Sequence, residues 1–202
     1  MGGGTTDIAV FLDESIRYTT CIDYGGDNVS SDLAMGIRTP LDRADEIKRK
    51  YGSCSVAEIE EEFVPVPGVG GRESKEIPKS YLSQIIRSRM KEIFEMVFKE
   101  LQKNRMMDKL GAGVVLTGGG SLTDGAKALA EEVFGVPVRI GVPKKQGGIS
   151  DAITTPIHAT GMGLVQYGLQ QVEQDSFEGS NPTNEGMFDI IKKISSWIAK
   201  YF

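Results

Sequence analysis

The chain has 202 residues, 40% hydrophobic and 25% charged, enough for a real core in one full domain or two small ones. Its net charge of −5 speaks against a broad nucleic-acid-binding surface, so no nucleic-acid partner is expected. Two cysteines and one histidine exclude a disulfide framework and any zinc site built on several histidines.

Residues 8–12 and 16–22 read as two strands joined by the short turn Asp13-Glu14-Ser15, a β-hairpin. A helix over 28–37 follows, with Asn28 or Ser30 as its cap. Thr39-Pro40-Leu41 interrupts it, and a charged helix over 41–51 ends near Gly52. Residues 58–66 alternate acidic and apolar positions, as an exposed strand does, before a Pro/Gly loop running from Val66 to Arg72. The longest helical pattern covers 78–104. There Tyr81, Leu82, Ile85, Ile86, Met90, Ile93, Phe94, Val97, Phe98 and Leu101 recur at the spacing of one buried stripe. A strand at 113–117, a helix at 122–134 ending at Gly135, a strand at 136–140 and a small-residue helix at 155–168 complete the body. Residues 169–185 are polar and aperiodic and read as a flexible tether.

Two glycine turns carry the chemistry. Gly2-Gly3-Gly4-Thr5-Thr6-Asp7 offers backbone N–H donors and two hydroxyls, a set suited to phosphate oxygens or metal-bound water. A plain hairpin turn explains it equally well. Gly113 to Gly125 has the order strand, Gly118-Gly119-Gly120-Ser121, helix. It puts a flat backbone at the end of a strand, where a nucleoside can lie, and Ser121, or Thr123 and Asp124, can cap the helix. Taken alone, that stretch is also an ordinary tight turn. The two together point to a nucleotide held at phosphate and nucleoside. No Gly-Lys-Ser/Thr follows either turn, so neither is a Walker A loop. No catalytic dyad stands out. Asp151 reads as a helix cap, His158 as a packed or surface residue, and Asp7 as a group that could approach a metal.

The last segment, 186–202, is periodic again. On a helical wheel Phe188, Ile191, Ile194, Trp197 and Ile198 share one broad face, with Lys192 and Lys193 on the other. A greasy face backed by lysines and preceded by a tether is the pattern of a helix lying in a membrane interface; a helix docked on its own domain or a partner is the alternative. Each lysine near an anionic surface contributes on the order of 1 kcal/mol. Most affinity would come from inserted apolar surface, at about 25 cal/mol per Å².

With these features assembled, the chain resembles the C-terminal half of the FtsA family, actin-like cell-division proteins of the actin/Hsp70 superfamily. Gly2 to Phe11 is similar to the superfamily's second phosphate loop, and Gly113 to Gly120 to its adenosine motif. The stretches Tyr24 to Asp32, Val69 to Arg72 and Val138 to Pro143 are more specific to FtsA.

The resemblance implies an α/β fold: an RNase H-like (actin-like) subdomain, 1–23 with 105–168, and an inserted smaller α+β subdomain, 24–104. A flexible linker over 169–185 then leads to an amphipathic membrane-targeting helix over 186–202. It implies a nucleotide site at Gly3, Gly4, Thr5, Thr6, Gly118, Gly119, Gly120 and Ser121, taking ATP with Mg2+, and no catalytic residue. It places the FtsZ C-terminal tail on the inserted subdomain, with Arg89 and Glu92 at its charged part, where they also read as solvated helix-face charges. The implied role is an adaptor tethering FtsZ filaments to the cytoplasmic face of the bacterial cell membrane at the division site, with actin-like self-association in the complete protein. The family's first half has no counterpart here, nor has the strand before Gly2 with its metal-associated aspartate. The expectation is therefore weak ATP binding, no useful hydrolysis and a risk of aggregation at an exposed sheet edge. The other reading is a soluble ATPase or sugar kinase of the same superfamily.

Overall fold

A computed structural model describes residues 1–55, 62–68, 70, 73–144 and 154–178. The chain divides into two compact units, Met1–Ala159 and Thr160–Phe202. The first unit takes in most of both expected subdomains.

It opens with the expected hairpin. Strand β1 (Thr6–Leu12) pairs antiparallel with β2 (Ser15–Ile22), from Thr6 opposite Ile22 to Leu12 opposite Ser15, with an irregularity at Val10/Phe11. Asp13 and Glu14 both take positive φ, 49° and 63°, the tight turn whose twist matches the flanking strands. Thr6, Ile8 and Val10 alternate inward.

Helix α1 (Gly26–Ile37) buries Val29, Leu33 and Ile37 at four-residue spacing. It starts earlier than expected. Asn28 lies inside the first turn, and its side chain reaches back to accept the Gly25 N–H at 2.8 Å. Ser30 is not a cap either; it is buried in α1. Helix α2 (Leu41–Tyr51) buries Ala44 and Ile47 and gathers Lys48, Arg49 and Lys50 in its last turn, where the helix dipole favours cations.

Strand β3 (Phe63–Val66) pairs antiparallel with β4 (Lys75–Pro78). Of the strand expected over 58–66, residues 58–61 lie outside the described residues. Helix α3 (Lys79–Lys103) is the spine of the core, packed on α1 and α4; of the expected stripe it buries Leu82, Ile86, Met90, Ile93, Phe94, Val97 and Leu101, while Ile85 and Phe98 on its flanks are half-buried and Tyr81, in its first turn, is exposed. Phe94 meets Phe134 of α4 with ring centroids 6.0 Å apart. At the end of α3, Glu100 accepts the Tyr18 hydroxyl at 2.6 Å and Asn104 Nδ2 at 2.9 Å, which ties β2 to the helix.

Strand β5 (Val114–Leu116) pairs parallel with β6 (Val138–Ile140), and α4 (Ala126–Phe134) crosses between them. The helix expected from 122 begins at Ala126, after a 3-10 turn over Gly119–Leu122. Its N-cap is Gly125, and none of Ser121, Thr123 or Asp124 caps it through a side chain.

Helix α5 spans Ala159–Glu178, mostly in the second unit. Residues 169–178 are thus helical where a tether was expected. Leu164, Val165, Tyr167 and Leu169 on this helix are exposed. The expected cap Asp151 lies outside the described residues.

Candidate nucleotide site

The fold brings the two glycine turns together through Met1. The Met1 nitrogen donates to the Thr117 carbonyl at 2.8 Å, and the Met1 carbonyl accepts the Gly120 N–H at 3.3 Å. Gly118, with φ +86°, makes this approach possible: a Cβ there would stand 2.4 Å from the Met1 oxygen.

A third glycine pair, unmarked in the sequence reading as part of the site, packs on the first turn. Gly26 N donates to Gly2 O and Asp27 N to Gly3 O, both at 2.9 Å. A Cβ on Gly25 would lie 2.3 Å from the Gly3 oxygen, so only glycine lets α1 begin against this turn.

The expected ligands divide into two sets. Gly3, Gly4, Thr5 and Gly119 are exposed, Gly118 and Gly120 are partly so, and a Cβ on Gly4 or Gly119 would meet nothing within 4 Å. Thr6 and Ser121 are buried, and their hydroxyls donate elsewhere: Thr6 Oγ1 to Tyr24 O at 2.8 Å, Ser121 Oγ to Gly118 O at 2.7 Å. These two shape the turns and have no hydroxyl proton left for a phosphate oxygen.

Lys48 is the residue that sequence reasoning missed. Its ammonium donates to Gly26 O at 2.8 Å, Ser30 Oγ at 2.7 Å and Asp45 Oδ1 at 2.8 Å. It therefore fixes a positive charge at the start of α1, against the backbone that carries Gly2 and Gly3. Partial burial works to raise the Asp45 carboxyl, but hydrogen bonds from Lys48 and Ser30, with the charges of Lys48 and Arg49, outweigh it and hold the group below its ordinary range. The only sequence signal was the three-residue spacing of Asp45 and Lys48, which any exposed helix can show.

The stretch between the second glycine turn and α4 is latched to the segment that follows α2. Ser53 Oγ donates to Asp124 Oδ2 at 2.7 Å and Cys54 N to Asp124 O at 2.6 Å. Arg87 of α3 donates to the Cys54 carbonyl at 2.8 Å and pairs with Glu132 of α4. Asp124, expected as a cap, serves as this latch instead.

Arg89 and Glu92 lie on the seam of α1 and α3. Arg89 is bonded to Asp32 of α1 through two nitrogens, and its third bond, Nη1 to Glu92 Oε2, measures 2.6 Å. The Asp32 hydrogen bond raises the guanidinium further above its ordinary value. The Arg89 side chain is 23% exposed, whereas that of Glu92 is 54% exposed and faces solvent beside it. Met35, 69% exposed, and Tyr81, 43% exposed, add apolar surface on the same two helices. Phe188, Ile191, Lys192, Lys193, Ile194, Trp197 and Ile198 lie outside the described residues. Among the described residues no helix is long and apolar enough to cross a membrane.

Among solved structures, the chain is similar to MreB5 of Spiroplasma citri bound to ADP, with 20% identity and a TM-score of 0.68 over 89% of this chain and 54% of that one. It is also similar to a non-polymerising mutant of MamK bound to AMPPNP, with 14% identity and a TM-score of 0.57 over 82% of this chain and 52% of that one. These likenesses make the fold actin-like. By sequence it is 40% identical to cell division protein FtsA of Pseudomonas aeruginosa and 35% identical to that of Escherichia coli. Both matches take in 100% of this chain and 50% of the relative, so the chain spans about half the length of these curated relatives. The family model for cell division protein FtsA matches residues 1–163, and the chain belongs to the FtsA family.

Proposed function

We propose that the chain is the nucleotide-binding and tethering half of an FtsA-type cell-division adaptor. The observation that carries the nucleotide part is the junction at Met1, which sets two exposed glycine backbones side by side with Lys48 fixed behind the first. ATP fits this surface. Its phosphates would lie over Gly3 and Gly4, with the Thr5 hydroxyl for an oxygen or for water on Mg2+, and its nucleoside against Gly118, Gly119 and Gly120. Mg2+ would neutralise phosphate charge. The chain's own residues would bind and orient the nucleotide, which acts as a conformational or polymerisation switch and not as fuel.

The FtsZ tail fits the seam of α1 and α3, within the inserted segment 24–104. Met35 and Tyr81 offer apolar contact there, and a carboxylate of the tail would exchange with Glu92 or Asp32 on Arg89. The segment 186–202 would bed its apolar face in lipid headgroups, and filament self-association would multiply that modest affinity.

The test is sedimentation with anionic liposomes in the presence of a labelled FtsZ tail peptide. The full chain should pellet and carry the peptide with it. Deletion of 186–202 should leave both in the supernatant, and Arg89→Glu should release the peptide alone. A full chain that stays in the supernatant would remove the tethering role.

A further inference from the structure

We propose that the Ser53–Asp124 latch sets the spacing between the Lys48 turn of α2 and the second glycine turn, which makes Ser53 and Asp124 positioning residues for the nucleoside part of a bound nucleotide. This rests on the nucleotide reading above and adds to it two residues that act through the backbone. The latch is built at two levels. In the backbone, Ser53 and Asp124 face each other across a single parallel bridge outside β1 to β6, and Cys54 N donates to Asp124 O at 2.6 Å. In the side chains, Ser53 Oγ donates to Asp124 Oδ2 at 2.7 Å and accepts from Ser55 N at 3.0 Å. Ser53 is buried and Asp124 exposed, so removing the carboxylate strands a buried hydroxyl. Gly125 permits the approach: at φ +70°, its Cβ would stand 2.7 Å from Ser55 N and 3.0 Å from the Cys54 carbonyl carbon.

Each end of the latch runs into the candidate site within a few residues. On one side Gly52 N donates to Lys48 O at 2.9 Å, so Ser53 follows directly on the turn of α2 that carries the Lys48 cation. On the other, the chain returns from Asp124 to the glycine turn through Thr123 N to Gly120 O at 3.4 Å and Ser121 N to Gly118 O at 3.1 Å. Arg87 of α3 backs both sides, donating to Cys54 O at 2.8 Å and pairing with Glu132 of α4. The first glycine turn is held differently. Gly26 N and Asp27 N donate to Gly2 O and Gly3 O, bonds that bypass the latch. This asymmetry separates the two parts of a nucleotide. With the latch loosened, the second turn drifts from α2 and nucleoside contacts weaken, while phosphates over Gly3 and Gly4 keep their donors.

The test titrates the full chain with two probes: a fluorescent ATP analogue, and tripolyphosphate, which carries the phosphates without a nucleoside. Ser53→Ala and Asp124→Ala should each weaken the analogue by about tenfold in Kd, the worth of one well-placed hydrogen bond, and leave tripolyphosphate within about twofold of wild type. Asp124→Asn keeps an acceptor oxygen for the Ser53 hydroxyl and should recover most of the analogue's affinity. Asp124 is exposed, so its replacements leave the core untouched and keep the test readable should Ser53→Ala fail to fold. Equal losses for both probes would reduce the latch to a support for stability. Unchanged analogue binding in the alanine variants, or no recovery in Asp124→Asn, would remove its positioning role. Each of these overturns the latch while leaving the nucleotide reading in place. A wild-type chain that binds neither probe would instead take down the nucleotide reading, and the latch's role with it.

Discussion

Arg89 grips Asp32 through two bonds, Nε to Oδ2 at 2.6 Å and Nη2 to Oδ1 at 3.0 Å. The pair joins α3 to α1 from opposite sides of the seam proposed for the FtsZ tail. Its side chains are only 23% and 22% exposed, so water competes poorly with the fork. Arg89→Ala should therefore cost about 1–2 kcal/mol, much of it from leaving Asp32 half-buried and unpaired. Arg89→Lys should recover part of this, since it keeps the charge and loses the paired geometry. Urea unfolding of the three proteins checks this, and an Arg89→Ala midpoint equal to wild type would make the pair ornamental.

Asp45 gives the first turn's cation a pH dependence. Its folded carboxyl titrates below the unfolded value, so its contribution to stability is complete above about pH 4 and is lost as the pH falls through the depressed folded value. Wild type should therefore lose more stability than Asp45→Asn as acid is added below about pH 4, the two curves running parallel above it. A pair of acid-unfolding series reads this out. Parallel curves throughout would mean that Lys48 is held by Gly26 and Ser30 alone.

The thiols should separate by burial. Cys54 is buried, and that burial pushes its thiol up to about 12 despite the nearby Arg87 charge. Cys21 is exposed on β2, although a hydrogen bond with Asp7 also raises it. A thiol reagent at mild alkaline pH should modify Cys21 in the native protein and reach Cys54 only after denaturant is added. Rapid reaction of both in the native state would show that the segment after α2 opens readily.

What could be seen in the sequence follows from which physical signals are local. The hairpin and α3 were legible because alternation and a helical stripe are repeated many times, and α3 runs Lys79–Lys103 against the expected 78–104. Lys48 was not, because its partners Gly26 and Ser30 come from another helix and only the fold joins them. Thr6 and Ser121 misled for a related reason. A hydroxyl beside a glycine turn can face a ligand or the chain's own carbonyls, and composition does not say which. The turns at 169–178 are built from residues that suit either helix or tether, such as Gln, Glu and Leu.

The glycines themselves supply the last prediction, because two of them look alike in sequence and differ in space. A Cβ at Gly25 would meet the Gly3 carbonyl at 2.3 Å, a backbone atom that cannot swing aside, whereas a Cβ at Gly119 would meet nothing within 4 Å. Gly25→Ala should therefore destabilise the fold by about 1–3 kcal/mol, since α1 and the first turn must move apart. Gly119→Ala should stay within about 0.5 kcal/mol of wild type. If the open backbone at Gly119 receives a nucleoside, the same harmless methyl should weaken binding of a fluorescent ATP analogue to the chain. Denaturant midpoints and that titration together separate a glycine kept for packing from one kept for a ligand. Unchanged analogue binding in Gly119→Ala would move the nucleoside off this turn.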